Sequence, residues 1–441
     1  MNHPIKVLIV LLFISIGISP ILAQKSAMSL EKAVAYALTS SPEMRDAQLA
    51  VMDAEAQIDE NRARGLPQLN GSVNYQRYLE VPQLPLPAIF QQPGGPESIS
   101  FIQTNNLTAA VNMQAMVFDG VFFVALKAAK AARDYAEKDL AVKQKALKEQ
   151  VRDAYLPLLL TKANLDQLDK NIVSLEQLHQ ETKAIFEAGF AEQLDVDRLE
   201  LSLANLKTER ENLARQYQIL LRLLKFTINF PEEDDLEIDD DMESLLAKYQ
   251  VSNLEPVAPN YEQYPEIQLA DELLNLQGLN KKAQKTAYLP SLNAFGGYQY
   301  QYQGDKLQDG FWAPTAFLGL QLNVPIYDGG YKRASIQRVQ IAIDRVATQR
   351  NTLQRAIYLQ ITTAQDIYTN ARDRLAERDK TLALAQRIYD TTQIKYREGV
   401  GSSLEVNQAE QAIYTAQTNR LQALYDLLKA KIDLQEALGK I

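Results

Sequence analysis

Two stretches of this chain are close to being the same stretch. Residues 65–76 read GLPQLNGSVNYQ and residues 288–299 read YLPSLNAFGGYQ, so that Leu66, Pro67, Leu69, Asn70, Tyr75 and Gln76 recur as Leu289, Pro290, Leu292, Asn293, Tyr298 and Gln299, each 223 positions on. The likeness extends further. VNMQAMVFDG at 111–120 returns as LQLNVPIYDG at 320–329, and IFEAGFAEQLDV at 185–196 returns as KYREGVGSSLEV at 395–406, now 209 and 210 positions apart. The drop in offset lies in one loop, long and Pro-rich between Glu80 and Asn105 but short between Gln303 and Phe311. A chain that repeats itself in this way is built from two copies of one supersecondary plan. The expected organisation is a signal peptide at 1–23, a first repeat at 24–228, an acidic and Pro-rich linker at 229–264 and a second repeat at 265–441.

Each repeat reads helix, strand, loop, strand, long helix, tight turn, helix. The first helices are predicted over 42–64 and 265–287, both with proline in the first turn, where its missing N–H has no intrahelical partner to lose. Leu66-Pro67 and Leu289-Pro290 end them, because a residue before proline is pushed out of the helical region. The hydrophobic period then changes from 3.6 to 2. Val73, Tyr75, Leu107, Val111, Tyr298, Tyr300, Leu318 and Leu320 alternate with Asn74, Gln76, Thr108, Asn112, Gln299, Gln301, Gly319 and Gln321. These are four half-polar strands, two in a hairpin at 66–119 and two in a hairpin at 289–328.

Asp119-Gly120 and Asp328-Gly329-Gly330 then close the strands and open helices of about 68 residues, roughly 100 Å long. They reverse at Gly189 and Gly399 and return for about 35 residues in which apolar positions such as Leu199, Leu203, Leu206 and Ile413, Ala416, Ala423 keep coiled-coil spacing. Pro157 is expected to kink the first long helix. Arg210 and Arg420 interrupt equivalent apolar seams, where pairing across helices and fixing of register are the expected roles, and His179 reads as packing.

Residues 1–23 carry a basic start, the apolar run VLIVLLFISIGI and Ala23, the pattern of a secretory signal peptide, so the mature chain is expected to begin near Gln24 outside the cytoplasm. The run is shorter than the ~20 residues that an anchor helix needs. Beyond it no run of 18 apolar residues occurs, so no spanning helix is expected. There is no cysteine, which excludes disulfides, thiolate chemistry and a lipid on cysteine; with two histidines, one in the signal, zinc and Ser-His-Asp sites are disfavoured. Gly94-Gly95 precedes no helix and is no phosphate cradle. No enzyme and no cofactor is expected. The net charge of −9 argues against nucleic acid as a partner, and the run NFPEEDDLEIDDDMESLL reads as a solvated face.

Strands with Gln and Asn on one face and Tyr and Leu on the other suit a wall with lipid outside and water within, and Tyr75, Tyr78, Tyr298, Tyr300, Phe311 and Trp312 would supply an interfacial aromatic girdle. A soluble antiparallel sandwich would alternate as well. In lipid, four strands leave open edges whose unpaired backbone groups are unfavourable by several kcal/mol each, so closure must come from further copies: two for a narrow pore, three for a 12-stranded one. Periodicity does not choose between them.

The order of elements, the LP-x-L corners, the VFDG and PIYDGG exits and the G-x-x-x-x-L-(D/E)-V turns at Gly189–Val196 and Gly399–Val406 resemble TolC-type outer-membrane efflux proteins over essentially the whole mature chain. The resemblance implies a mixed, mainly α fold: a transmembrane β-barrel completed by oligomerisation, four strands from each chain of a homotrimer, continuous with a long α-helical coiled-coil tunnel in the periplasm of a Gram-negative cell. It implies an export duct that docks through its helical tips onto a periplasmic adaptor, a membrane fusion protein, serving an inner-membrane pump of the resistance-nodulation-division or ATP-binding-cassette type. The docking tips would be Gly189, Leu194 and Val196 with Gly399, Leu404 and Val406, and the helix-strand corners Pro67, Gly120, Pro290, Gly329 and Gly330. Of the family's two aperture aspartates, the first falls on Glu405 and the second on Gln408, which is not acidic; Asp195 is the first-repeat equivalent of Glu405. Ser402-x-x-Glu405 also has the form of a helix capping box. The other readings are a passive porin with a helical stalk and a periplasmic coiled-coil scaffold. The former does not need two repeated tip turns and the latter does not need the strands. A wide water-filled duct imposes little chemistry on its cargo, so drug, metal ion, siderophore and protein all stay open.

Overall fold

A computed structural model describes residues 26–90, 93–249 and 259–440; the expected signal peptide and part of the linker lie outside the described residues. The first segment holds β1 (Ser26–Met28), α1 (Leu30–Ser40), α2 (Pro42–Ala63) and β2 (Gln68–Arg77). A loop with the two-residue strands β3 (Leu84–Pro85) and β4 (Ser98–Ile99) leads to β5 (Asn105–Phe118), then to α3 (Gly120–Glu187) and α4 (Gln193–Thr227). After β6 (Leu236–Ile238) and α5 (Met242–Lys248) the plan recurs as α6 (Pro265–Thr286), β7 (Ser291–Gly304), β8 (Phe311–Asn323), α7 (Tyr331–Arg397) and α8 (Ser403–Ala437). The protein is mainly helical. α3 runs on through Pro157 as one helix, and no described helix is long and apolar enough to cross a membrane.

The chain divides into two units, one comprising residues 1–41, 147–252 and 367–432, the other 42–146, 253–366 and 433–441. The second contains the sheet, with strand order β2-β5-β7-β8 and every neighbouring pair antiparallel. The two hairpins are β2/β5 and β7/β8; the join between them is β5 against β7, from Asn105 opposite Gly304 to Phe118 opposite Leu292, with a register shift between Met116 and Phe118. β2 and β8 are the edges, and Pro314 lies in β8, at an edge where a missing N–H is tolerated. Ion pairs fasten the helices of this unit: Lys145 to Glu266 at 2.6 Å, and Arg350 to Asp271 through two hydrogen bonds of 2.5 and 3.2 Å.

The first unit is a helical packing of α1, α4, α5 and α8 with the later parts of α3 and the end of α7. Small residues let its helices approach: Ala385 and Tyr389 of α7 cluster with Ala409, Ile413 and Ala416 of α8, and Ala371 with Leu427 and Ala430. The equivalent arginines pair across helices, Arg210 with Asp169 at 2.7 Å and Arg420 with Asp379 at 2.7 Å and Glu243 at 3.0 Å. The linker is only partly the solvated run expected. Glu232, Glu233, Asp234 and Asp235 are exposed, but Leu236 and Ile238 turn inward as β6, parallel to β1. Asp240 accepts hydrogen bonds from the Leu30 N–H at the start of α1 (2.7 Å) and from the Tyr155 hydroxyl (2.9 Å), while Asp241 caps α5. Acidic residues here hold helix N-termini, where carboxylates are favoured.

Candidate functional site

The sheet has two unlike faces. Register places Gln76, Asn106 and Gln303 in one row, Asn74, Thr108 and Gln301 in the next, and Ser72, Ala110, Gln299 and Thr315 in the third. The residues between them point the other way: Leu69 beside Met113, Val73 beside Ala109, Tyr75 beside Leu107 and Tyr302, and Gly296 beside Leu318. On that apolar face, toward the loops, Trp312 stacks on Tyr300 with ring centroids 4.8 Å apart and meets Tyr302 at 5.3 Å, while the Tyr75 hydroxyl donates to Asn105 Oδ1 at 2.8 Å. Leu69, Val73, Leu318 and Leu320 are all more than two-thirds exposed, which no water-soluble sheet of this length would leave uncovered.

The corners join these strands to the helices. Pro67 and Pro290 immediately precede β2 and β7. Gly120 opens α3 so close to α6 that a Cβ there would stand 2.5 Å from Thr286 Cγ2, and Gly329 and Gly330 hold φ of +66° and +89° before α7.

At the other helical ends, the reversals sit on Gly189 and Gly399 with φ of +84° and +73°, a left-handed conformation that a side chain with a Cβ adopts only under strain. Leu194 and Leu404 are half exposed beside them. Val196 and Val406, expected on the docking surface, are instead buried: Val406 packs with Leu175, Leu178 and Leu199, because the fourth residue of each returning helix points back among the helices. The exposed apolar residues at the apices are Phe190 and Val400, at 86% and 77%. Their signal was present in both repeats, an apolar residue directly after the turn glycine.

Asp195 also departs from expectation. It completes a capping box with Glu192, accepting from the Glu192 N–H at 3.2 Å, and it receives a hydrogen bond from the Ser403 hydroxyl of the second hairpin. Arg198 Nη1 donates to the same Ser403 oxygen at 2.9 Å, and Asn407 donates to Ser202 at 2.8 Å. Asp195 is therefore a tie between the two hairpin tips rather than a free aperture acid. Glu405 and Gln408, one turn apart on α8, are both exposed, and Ser402 Oγ accepts from the Glu405 N–H at 3.3 Å, the serine half of a capping box.

A family model described as outer membrane efflux protein matches residues 34–228 and 262–440. The chain belongs to that family. It is 21% identical over 355 residues to the outer membrane protein TolC of Vibrio cholerae serotype O1, covering 77% of this chain and 78% of TolC. With TtgC of Pseudomonas putida, a probable efflux pump outer membrane protein, it shares 24% identity over 305 residues, 67% of this chain and 61% of TtgC. The solved outer membrane channel CmeC of Campylobacter jejuni superposes with a TM-score of 0.71 over 93% of this chain and 85% of CmeC, at 19% identity, a likeness of fold. Family membership makes this an outer-membrane protein with a periplasmic portion.

Within this efflux protein one ionisable group stands apart. Glu410 of α8 is 1% exposed, five residues beyond Glu405. Burial pushes its carboxyl up to about 7, against the opposing effect of the Tyr414 hydroxyl, which donates to Oε1 at 2.6 Å; Oε2 has no partner among the described residues. Tyr389 of α7, in the buried cluster against which Tyr414 packs, accepts at its hydroxyl from Gln393 at 2.7 Å. The spacing of α8 puts Glu410 on the buried stripe, four residues after Val406 and three before Ile413, and only its residue type reads as a surface position.

Proposed function

We propose that this chain forms a homotrimer whose three four-stranded sheets close into a 12-stranded outer-membrane barrel, continuous with a helical periplasmic duct through which substrates leave the cell. The observation that carries the reading is the two-faced sheet with free edges. β5 and β7 have 14 residues and β8 has 13, more than the roughly 9–11 that a tilted strand needs to cross a bilayer. Lipid on the Leu and Tyr face covers the exposed apolar side chains, and the Trp312 cluster sits where interfacial aromatics belong. The amide rows then face water. Pairing of β2 with β8 of the next copy satisfies edge groups that lipid would leave unpaired.

The duct is passive, and force for transport comes from an inner-membrane pump coupled through a periplasmic adaptor. Phe190 and Val400, with Leu194 and Leu404 beside them, offer that adaptor its apolar contact, and Glu405 with Gln408 lines the narrow end. The relatives are channel and efflux components rather than enzymes, and this chain is read in the same way. A chain without native cysteine permits a clean test. Cysteine placed at Phe190 or Val400 and treated in cells with a bifunctional thiol-amine reagent should capture a periplasmic adaptor, while the purified protein should give discrete conductance steps in a planar bilayer. Conductance without capture at either position favours the porin reading; capture without conductance contradicts the duct.

A further inference from the structure

The polar face of the sheet is interrupted in its middle by aromatic surface. Phe295 of β7 stands opposite Gly319 of β8, and two residues further on Gly297 stands opposite Phe317, so the two rings occupy diagonal positions on that face. Each ring leans over the glycine of the neighbouring strand. A Cβ at Gly319 would lie 2.6 Å from Phe295 Cζ, and one at Gly297 would lie 2.8 Å from Phe317 Cζ. The ring centroids are 6.2 Å apart with planes inclined by 55°, within the range of favourable aromatic pairs. Both residues keep part of their surface open: Phe295 is 37% and Phe317 47% exposed.

The neighbouring rungs are polar and uncharged. Asn112 and Gln114 of β5 stand opposite Gly297 and Phe295, and Gln299 and Thr315 form the next rung. The result is an apolar island of two tilted rings bordered by amide and hydroxyl groups. Packing explains why each ring rests on a glycine, but it does not explain why rings are kept on the face that water would wet, where exposed apolar area is unfavourable. Sites that hold small molecules combine such aromatic surface with a few placed polar groups.

We propose that the Phe295–Phe317 pair is a contact site for planar aromatic solutes travelling along this face. It rests on the reading that the face lines the duct. A flat solute stacks on the open side of the rings while its polar substituents meet Asn112 and Gln299. No charge borders the rings, so the site discriminates by ring and shape rather than by charge. The contact is weak, as passage requires.

The test is partial block of single-channel current in planar bilayers by naphthalene-2-sulfonate, with cyclohexanesulfonate as a probe of equal charge and no aromatic ring. The naphthalene probe should block at lower concentration. Phe295→Leu with Phe317→Leu should raise its half-blocking concentration by about three- to tenfold, leaving block by the cyclohexane probe unchanged. Thr315→Phe, which adds a ring on the next rung and keeps Asn112 and Gln299, should lower it, and this variant decides the matter if the double variant does not assemble. Unaltered block by naphthalene-2-sulfonate in the assembled variants overturns the site. Gln301→Cys, on the same face but away from the rings, separates the two levels of the reading: a membrane-impermeant thiosulfonate should reduce its current, and no reduction shows that the face does not line the duct.

Discussion

Glu410 is the residue whose environment makes the sharpest prediction. Its carboxyl has an ordinary value of 4.5 and is raised to about 7 by burial, so between those values the folded chain keeps a proton that the unfolded chain has released. The folded state then binds more protons, and stability falls as pH rises from about 4.5 to about 7, by on the order of 3 kcal/mol per chain. Thermal unfolding of the wild type should show this slope and Glu410→Gln should largely remove it; parallel pH profiles contradict the assignment. At the tips, Gly399→Val places a β-branched residue at φ of +73°, an unfavourable change of roughly 1–2 kcal/mol at a single turn. Efflux complementation should fail while the barrel and assembly persist. If the proposed trimer brings three Glu405 carboxylates to ~7 Å from one another, they repel pairwise by about 0.6 kcal/mol in water or roughly 2.4 kcal/mol at an effective dielectric of 20. Glu405→Gln should therefore lower cation selectivity and divalent-ion block in planar bilayers. Asp195→Asn should leave selectivity unchanged and loosen the Ser403 tie instead, and the reverse pattern would place the constriction on the first hairpin.

The elements differ in how far local pattern reveals them. α2 runs Pro42–Ala63 and α6 Pro265–Thr286 against expectations of 42–64 and 265–287, because proline marks one end and the Leu-Pro corner the other. The strands show through their period of 2. What the pattern does not carry is pairing over long distance: that β5 lies against β7 depends on edges meeting across almost 200 residues of chain, and no local periodicity encodes it. The same holds for the linker. β6 is three residues long and is a strand because β1 offers it partners, so an acidic run with two buried apolar residues reads as solvent-exposed until β1 is present. Asp195 and Glu405 occupy matching places in their motifs but have different neighbours, since the two hairpin tips are not interchangeable once Ser403 and Arg198 bridge them. At this scale the aromatic cluster is the feature to perturb. Trp312→Ala removes a stack on Tyr300 and a tilted contact with Tyr302, worth about 0.5–1.5 kcal/mol each, and the temperature at which the assembly dissociates in SDS should drop. An unchanged temperature means that the cluster contributes nothing at the membrane interface.

For the whole molecule the proposed assembly rests on the sheet's edges and its apolar face. Among the described residues the sheet ends in two unpaired edges, and its exposed Leu and Val side chains meet no covering element. In water such a sheet would aggregate, and in lipid its edges would be unsatisfied by several kcal/mol for each backbone group. The repeat in the sequence made the count of four strands visible, whereas the number of copies follows from closure between chains, which a single chain does not encode in any of its periods. The direct measurement is the mass of the detergent-solubilised protein by light scattering combined with its mobility in SDS before and after boiling. A species of three chains, recovered from the outer-membrane fraction and collapsing to a single chain only on heating, is the predicted result. A single chain in the soluble periplasmic fraction, with the same mobility before and after boiling, would contradict it.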